Sequence, residues 1–237
     1  MELTEGIIVK TMNYKENSKI IFIITDQGKQ SVEVKGANKI TGHSRNYTFL
    51  LSKIAYSTSK HYLSSAKVIS NYVHIRSDID RLSLGLEIIE MAYTFSDHIT
   101  DFSVFYNFLR DILDIIDTDK NYKYYYLVFK TKILYLLGIA PIFTKCVECN
   151  CKTNLKGFVI NSGGMKCSND ILSTDRISEG YVTKDIKNMY LTKLSELKKN
   201  DDFQYHYNED NDFLDEYLQT FMGYKSKTEK IMKEIVN

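Results

Sequence analysis

The hydrophobic period of the sequence changes at Asp78, and this change constrains the fold more than any other feature. Before it, short β-branched runs alternate with polar turns. Five strands are predicted there, at residues 6–11, 19–25, 30–35, 47–58 and 62–70. Five strands in about 70 residues are typical of a small closed barrel such as the OB-fold.

After Asp78, apolar residues recur at helical spacing, and Asp78 itself is a candidate N-cap. Further amphipathic helices are predicted at residues 102–116, 124–137, 182–197, 212–222 and 226–235. A cysteine-bearing insert at about 143–170 interrupts them. We therefore expect an α+β protein with an OB-fold nucleic-acid-binding domain at 1–77 and a helical domain at 78–237 that carries a zinc-finger-like insert.

Positive charge is concentrated in the barrel segment. Residues 1–77 hold 11 Lys and Arg against five Asp and Glu, whereas the remaining residues hold 20 against 25. This asymmetry indicates a polyanionic partner, and the loops beside the second and third strands of an OB barrel border its nucleic-acid groove. The candidate DNA contacts are a loop cluster, two strand lysines and one stacking tyrosine: Lys35, Lys39, Arg45, Lys10, Lys53 and Tyr47. For each lysine, the alternative is an ordinary solvated side chain.

All four cysteines lie in the insert, as Cys146-Val-Glu-Cys149-Asn-Cys151 followed by Cys167. A C-x-x-C turn places two sulfurs on one side of a loop, and thiolates suit tetrahedral Zn²⁺. Cys146, Cys149 and Cys167 are the expected ligands of a structural zinc, and either Cys151 or Asp170 is the fourth. A decayed site that binds nothing is the remaining alternative.

The first residues carry two acids and no basic segment, and no apolar run is long enough to span a bilayer. We therefore expect a cytoplasmic protein with no membrane partner, and its association with the nucleoid follows from the DNA contacts predicted above. Its compartment is then reducing, which favours thiols or metal ligands over disulfides.

Two other function classes compete with DNA binding. No phosphate-binding glycine loop, nucleophile elbow or zinc-protease motif is present, and no histidine lies near the cysteines, so we expect no enzyme. An RNA-binding OB protein with a structural zinc module would show the same basic barrel. In the helical part, Arg81, Lys130 and Lys132 could line a groove for an acidic peptide, although a solvated helix face is the favoured explanation for each of them.

Several local strings resemble the RecO family of bacterial DNA repair proteins. Residues 5–10 and 14–20 look like its opening strand and turn, and Val-Lys-Gly-Ala-Asn-Lys at 34–39 looks like its Lys-Gly-Ala-Arg-Lys segment. The Leu-Gly-Ile-Ala-Pro string at 137–141, which leads to Cys146, and Tyr-Lys-Ser-Lys at 224–227 match as well. The resemblance covers essentially the whole chain. Asn38 stands where the family often has arginine, and Asp170 stands at the usual fourth cysteine.

This resemblance implies a recombination mediator. Proteins of the family bind single- and double-stranded DNA and anneal complementary strands. They act with RecR, recognise the acidic C-terminal tail of the single-stranded-DNA-binding protein, and help to load RecA. The order of a basic barrel, helices and a cysteine insert favours this function over the RNA-binding alternative.

Overall fold

The computed structural model describes residues 3–39, 42–191, 193 and 204–236. They divide into two compact units. The first unit runs to Tyr122 and resumes at Ser226, and the second lies between them, from Lys123 to Lys225. The predicted boundary at residue 77 therefore falls inside the first unit, and a barrel domain that ends there stays a prediction.

The first unit begins with a closed five-stranded barrel in the order β1-β2-β3-β5-β4. Its strands are β1 (Thr4–Tyr14), β2 (Ser18–Thr25), β3 (Gly28–Val34), β4 (Lys53–Ser59) and β5 (Tyr62–Ser70). Alternate residues such as Ile21 and Ile23 point inward and form its apolar core with Val32, Val34 and Ile54. The barrel predicted from the sequence is thus confirmed, and so is the α+β class.

The fourth strand is shorter than predicted. A 3₁₀ helix, His43–Tyr47, and an irregular segment occupy the first half of the predicted strand 47–58. Leu51 has a φ of 56° and is fully buried, with its backbone N–H bonded to Ile8 O at 3.1 Å. A left-handed residue ends regular strand geometry, so β4 begins only at Lys53.

Four helices complete the first unit: α1 (Val73–Ser77), α2 (Ile79–Phe95), α3 (Phe102–Thr118) and α7 (Lys227–Val236). Asp78 caps α2 as predicted, accepting a hydrogen bond from Arg81 N at 3.0 Å. Glu90 on α2 receives the backbone N–H groups of Lys227 and Thr228 at 2.9 and 2.8 Å. This carboxylate therefore satisfies the free N–H groups at the start of α7, where negative charge also interacts favourably with the helix dipole.

The second unit contains α4 (Tyr122–Leu136), a hairpin of β6 (Leu155–Val159) and β7 (Gly164–Cys167), α5 (Gly180–Leu191) and α6 (Tyr207–Met222). Phe158 on the hairpin is fully buried between Phe143 and Phe213, each at a ring-centroid distance of 5.3 Å. The cysteine insert thus shares an aromatic core with α6. The predicted helix 182–197 extends in part beyond the described residues.

A buried carboxyl in the second unit predicts a pH-dependent stability. Asp210 is fully buried, one of its oxygens has no hydrogen-bond partner, and burial raises its pKa to about 7. The ordinary pKa of an unfolded aspartate is about 3.9, so the folded form binds this proton more tightly and stability falls as pH rises from about 4 to about 7. We expect the melting temperature of Asp210→Asn, relative to wild type, to increase between pH 5 and pH 8.

The neighbouring histidine needs a separate control. Asp185 accepts a hydrogen bond from His206 at 2.9 Å and raises the pKa of that imidazole. The same pH series on Asp185→Asn separates its contribution from that of Asp210. A parallel pH dependence of wild type and Asp210→Asn would show that Asp210 is already ionised in the folded protein.

Candidate nucleic-acid interface and metal centre

Three turns meet at one end of the barrel and form a surface that we call the barrel end: residues 14–19, 35–39 and 60–62. Asn38 ties the first two turns together, because its backbone N–H donates to Asn17 O at 3.3 Å and its Nδ2 to Ser18 O at 3.2 Å. The third turn joins through the backbone N–H of Glu33, which donates to His61 O at 2.9 Å. The three turns are therefore one continuous surface.

Lysines outnumber acids on this surface, and they are Lys15, Lys19, Lys35, Lys39 and Lys60. The acid that faces them, Glu33, is buried on β3, with its carboxylate 4.0 Å from Lys15 Nζ. Glu33 raises the pKa of Lys15 above its ordinary value. The one other acid within the three turns is the exposed Glu16. The barrel end therefore carries a net positive charge that attracts phosphates.

Aromatic rings lie among these lysines. Lys35 Nζ stands 3.6 Å from the centroid of the Tyr62 ring, and His61 packs on the same residue with ring centroids 4.1 Å apart. Lys15 Nζ lies 4.7 Å from the centroid of Tyr14, whose side chain is exposed. Rings that offer a stacking face beside cations are the combination found in proteins that bind single-stranded nucleic acids.

Lys35 and Lys39, both predicted as DNA contacts, are exposed on the barrel end. Gly36 has a φ of 71°, and a Cβ on Gly42 would stand 2.5 Å from Gly36 O, so the loop closes tightly on itself. Arg45 follows within the 3₁₀ helix and is exposed, with its backbone N–H bonded to Gly42 O at 3.1 Å. Tyr47 ends that helix and is half-buried.

The other two predicted contacts lie away from the barrel end. Lys10 Nζ stands 4.1 Å from the ring centroid of Tyr93 on α2, and Tyr93 also meets Phe22 edge-on at 5.2 Å. Lys53 forms an ion pair with Asp114 on α3 at 3.3 Å, and its side chain is 12% exposed. Helices α2 and α3 thus cover these two lysines, whereas the barrel end remains accessible. The barrel end contains the β1–β2 and β4–β5 loops, which are loops that bind nucleic acid in OB-folds.

Lys15, Lys60 and Tyr62 were missed by the sequence analysis. Lys15 and Lys60 are the turn residues of two hairpins, with φ values of 52° and 58°. The alternation of the flanking strands marks both turns, and turns at the same end of neighbouring hairpins become neighbours once a barrel closes. Glycines mark the loop after β3, whereas the turns at Lys15 and Lys60 contain none.

The four cysteine sulfurs lie within 4.8 Å of one another. Cys149 Sγ and Cys167 Sγ are 3.7 Å apart, close to the edge of about 3.8 Å in a tetrahedron with Zn–S bonds of about 2.3 Å. A carboxylate oxygen of Asp170 accepts hydrogen bonds from Cys146 Sγ at 3.2 Å and from Cys167 Sγ at 3.1 Å. Four cysteine sulfurs and one carboxylate oxygen of Asp170 are therefore available for the four ligand positions around a tetrahedral metal ion.

Asp170 and the neighbouring thiols shift one another's pKa values. Hydrogen bonds from Cys149, Cys167 and Cys146 lower the pKa of Asp170, and the same carboxylate raises the pKa values of Cys149 and Cys167. A bound cation would displace the thiol protons, because thiolates are the form that ligates metal. Metal binding at this cluster would therefore release protons.

Two family models match the sequence. The one described as recombination protein O, N terminal, matches residues 1–72, and the one described as recombination protein O, C terminal, matches residues 76–180. The chain belongs to the RecO family. The N-terminal match spans the barrel, and the C-terminal match spans α2 to β7 and includes the cysteine cluster.

Curated relatives carry the same family name. The chain is 24% identical to the DNA repair protein RecO of an Exiguobacterium species, strain AT1b, with an alignment that covers 100% of this chain and 97% of that protein. It is 27% identical to the DNA repair protein RecO of Bacillus cytotoxicus, over 69% of this chain and 68% of the relative. A role in DNA repair and recombination follows for this member of the RecO family.

The helix groove predicted for an acidic peptide is not formed by the lysines expected to line it. Lys130 is fully buried and binds Asn211 Oδ1 at 2.8 Å and the carboxylate of Asp215. Lys132 donates to the backbone carbonyl of Tyr190. The prediction was wrong for Lys130 because α4 is buried on nearly all sides and has no solvated face for this residue.

Among the described residues, no helix is long and apolar enough to cross a membrane.

Proposed function

We propose that this RecO-family chain binds single- and double-stranded DNA through its barrel end and the 3₁₀ helix that follows the third strand, with Lys35, Lys39 and Arg45 on phosphates. The observation that carries this proposal is the convergence of three lysine-bearing turns, with exposed aromatic rings, on a surface whose one buried acid is already paired. Lysine supplies a point charge to phosphate, and arginine can bind it with two parallel hydrogen bonds. Tyr47 and Tyr62 are the proposed stacking residues.

Such a surface would anneal complementary strands by holding backbones rather than base edges. Contacts to phosphate carry no sequence information, so the pairing edges of a bound strand stay free. In this proposal the chain acts as a mediator and not as an enzyme. With RecR, it would help to load RecA onto DNA coated by single-stranded-DNA-binding protein, whose acidic tail it would recognise. The cytoplasmic nucleoid is the corresponding location.

The cysteine cluster has a structural role in this proposal, as the site of a Zn²⁺ ion. Cysteine-rich ligand sets without an open position are structural sites. The thiols lie at the base of the β6–β7 hairpin, next to the aromatic core around Phe158, so a bound ion would fix the hairpin on that core.

A salt series with fluorescent single-stranded DNA tests the proposed interface. A Lys35→Ala/Lys39→Ala/Arg45→Ala variant removes three phosphate contacts, which should lower the slope of log affinity against log salt by about 2. We expect its affinity at low salt to fall at least tenfold and its annealing rate to fall with it. The control is Lys156→Ala/Lys184→Ala/Lys225→Ala, which removes the same charge from exposed positions of the second unit.

Equal losses in the two triple variants would mean that net charge, and not the barrel end, sets the affinity. Undiminished binding by the barrel-end variant would reject the assignment of its three residues. A matched RNA strand serves as competitor, and a clear preference for RNA would favour the RNA-binding alternative.

A further inference from the structure

We propose that the metal ion is held by the thiolates of Cys146, Cys149 and Cys167 and by a carboxylate oxygen of Asp170, with Cys151 outside the coordination sphere. This inference rests on the proposed metal site and names its ligands. The distances among the sulfurs do not decide whether Cys151 or Asp170 is the fourth ligand, since all four cysteine sulfurs lie within 4.8 Å of one another. The backbone geometry around Cys151 and Asp170 distinguishes them.

The two ligand-bearing turns have the same geometry. In the first, Asn150 N donates to Cys146 O at 3.0 Å, and in the second, Ile171 N donates to Cys167 O at 3.1 Å. Each bond joins a cysteine to the fourth residue after it. Asp170 therefore occupies in the second turn the position that Cys149 occupies in the first.

The second turn also supports a ligand of the first. Cys146 Sγ accepts a hydrogen bond from the backbone N–H of Cys167 at 3.4 Å. Such bonds stabilise the negative charge of a thiolate and fix its orientation toward a metal.

Cys151 contributes its backbone instead of its thiol. Its carbonyl accepts a hydrogen bond from Cys146 N at 2.8 Å. Its own thiol donates to Thr153 O at 3.4 Å. The backbone of Cys151 therefore supports Cys146, while its thiol is hydrogen-bonded within the loop.

The distances around Asp170 also fit coordination. One of its oxygens lies 3.2 Å from Cys146 Sγ and 3.1 Å from Cys167 Sγ. A tetrahedral ion with Zn–S bonds of about 2.3 Å and a Zn–O bond of about 2.1 Å has sulfur–oxygen edges of about 3.6 Å. Small outward shifts of the side chains would open this cluster to a cation.

Cobalt absorption on the full-length protein tests the ligand set, because Co²⁺ adopts the same tetrahedral geometry and its thiolate charge-transfer band grows with each bound sulfur. We expect one Co²⁺ per chain, and Cys151→Ser should keep both the band intensity and the affinity. Asp170→Cys should raise the intensity by about a third, from three thiolates to four, and Asp170→Ala should weaken affinity at least tenfold.

A loss of about a quarter of the band in Cys151→Ser, with no change in Asp170→Cys, would identify Cys151 as the fourth ligand and overturn the inference while leaving the metal site in place. If the purified chain binds no Co²⁺ at one equivalent, the metal site itself is rejected and the ligand set with it. Displacement of Co²⁺ by Zn²⁺ measures the affinity for zinc on the same samples.

Discussion

Asp215→Ala is expected to lower the free energy of unfolding by about 3–5 kcal/mol, because it leaves the ammonium of Lys130 buried without its counter-charge. The Lys130 side chain is 0% exposed, whereas that of Asp215 is 32% exposed. Asn211 Oδ1 would remain as an acceptor at 2.8 Å, but an amide oxygen carries no net charge to balance the lysine. Urea denaturation, followed by circular dichroism, measures the loss.

A double substitution distinguishes the charge effect from simple loss of packing. Lys130→Met/Asp215→Leu removes both charges and keeps the volume apolar, and such replacements of buried ion pairs are often neutral or stabilising. We expect the double variant to recover most of the stability lost in Asp215→Ala. A double variant as unstable as the single one would show that shape at α4 and α6, and not the unpaired charge, is responsible.

Removing the metal is expected to have the second large effect. A ligand present at about 1,000 times its dissociation constant stabilises the folded form by about 4 kcal/mol, and about 1 kcal/mol corresponds to 2–4 °C for a chain of this size. Excess chelator should therefore lower the melting temperature of the zinc-loaded protein by roughly 8–16 °C. Differential scanning fluorimetry with and without chelator gives the shift directly.

The control for this experiment is Cys146→Ala/Cys149→Ala, which lacks two of the proposed ligands. Its melting temperature should already be low and should not respond to chelator. A wild-type protein that is equally indifferent to chelator and to added Zn²⁺ would remove the structural role proposed for the ion.

The barrel could be predicted because period-two alternation and hairpin turns are local signals. The fourth strand was overextended because the left-handed backbone of Leu51 is set by burial against β1, which no local pattern encodes. The helices were predicted where they are amphipathic. On α4, where Tyr124 through Lys130 are all buried, the pattern offered no polar face and the environment of Lys130 was misjudged.

The same distinction between local sequence signals and long-range packing applies to the candidate site. The exposed loop position of Lys35 and Lys39 could be predicted because glycines mark their loop. Lys10 and Lys53 are secondary candidates from neighbouring strands, and no local pattern shows that α2 and α3 pack over them. The cysteine cluster is visible in the sequence, whereas the choice between Cys151 and Asp170 depends on the geometry of the two ligand-bearing turns.

The capping of α7 by Glu90 has a consequence for synthesis of the chain on the ribosome. Glu90 and Ser226 are separated by 136 positions, and the whole second unit is translated between them. At about 5–20 residues per second, that interval lasts roughly 7–27 s. During this time the nascent barrel and α2 lack α7, the helix that completes the first unit. The unit whose synthesis begins first is therefore completed last.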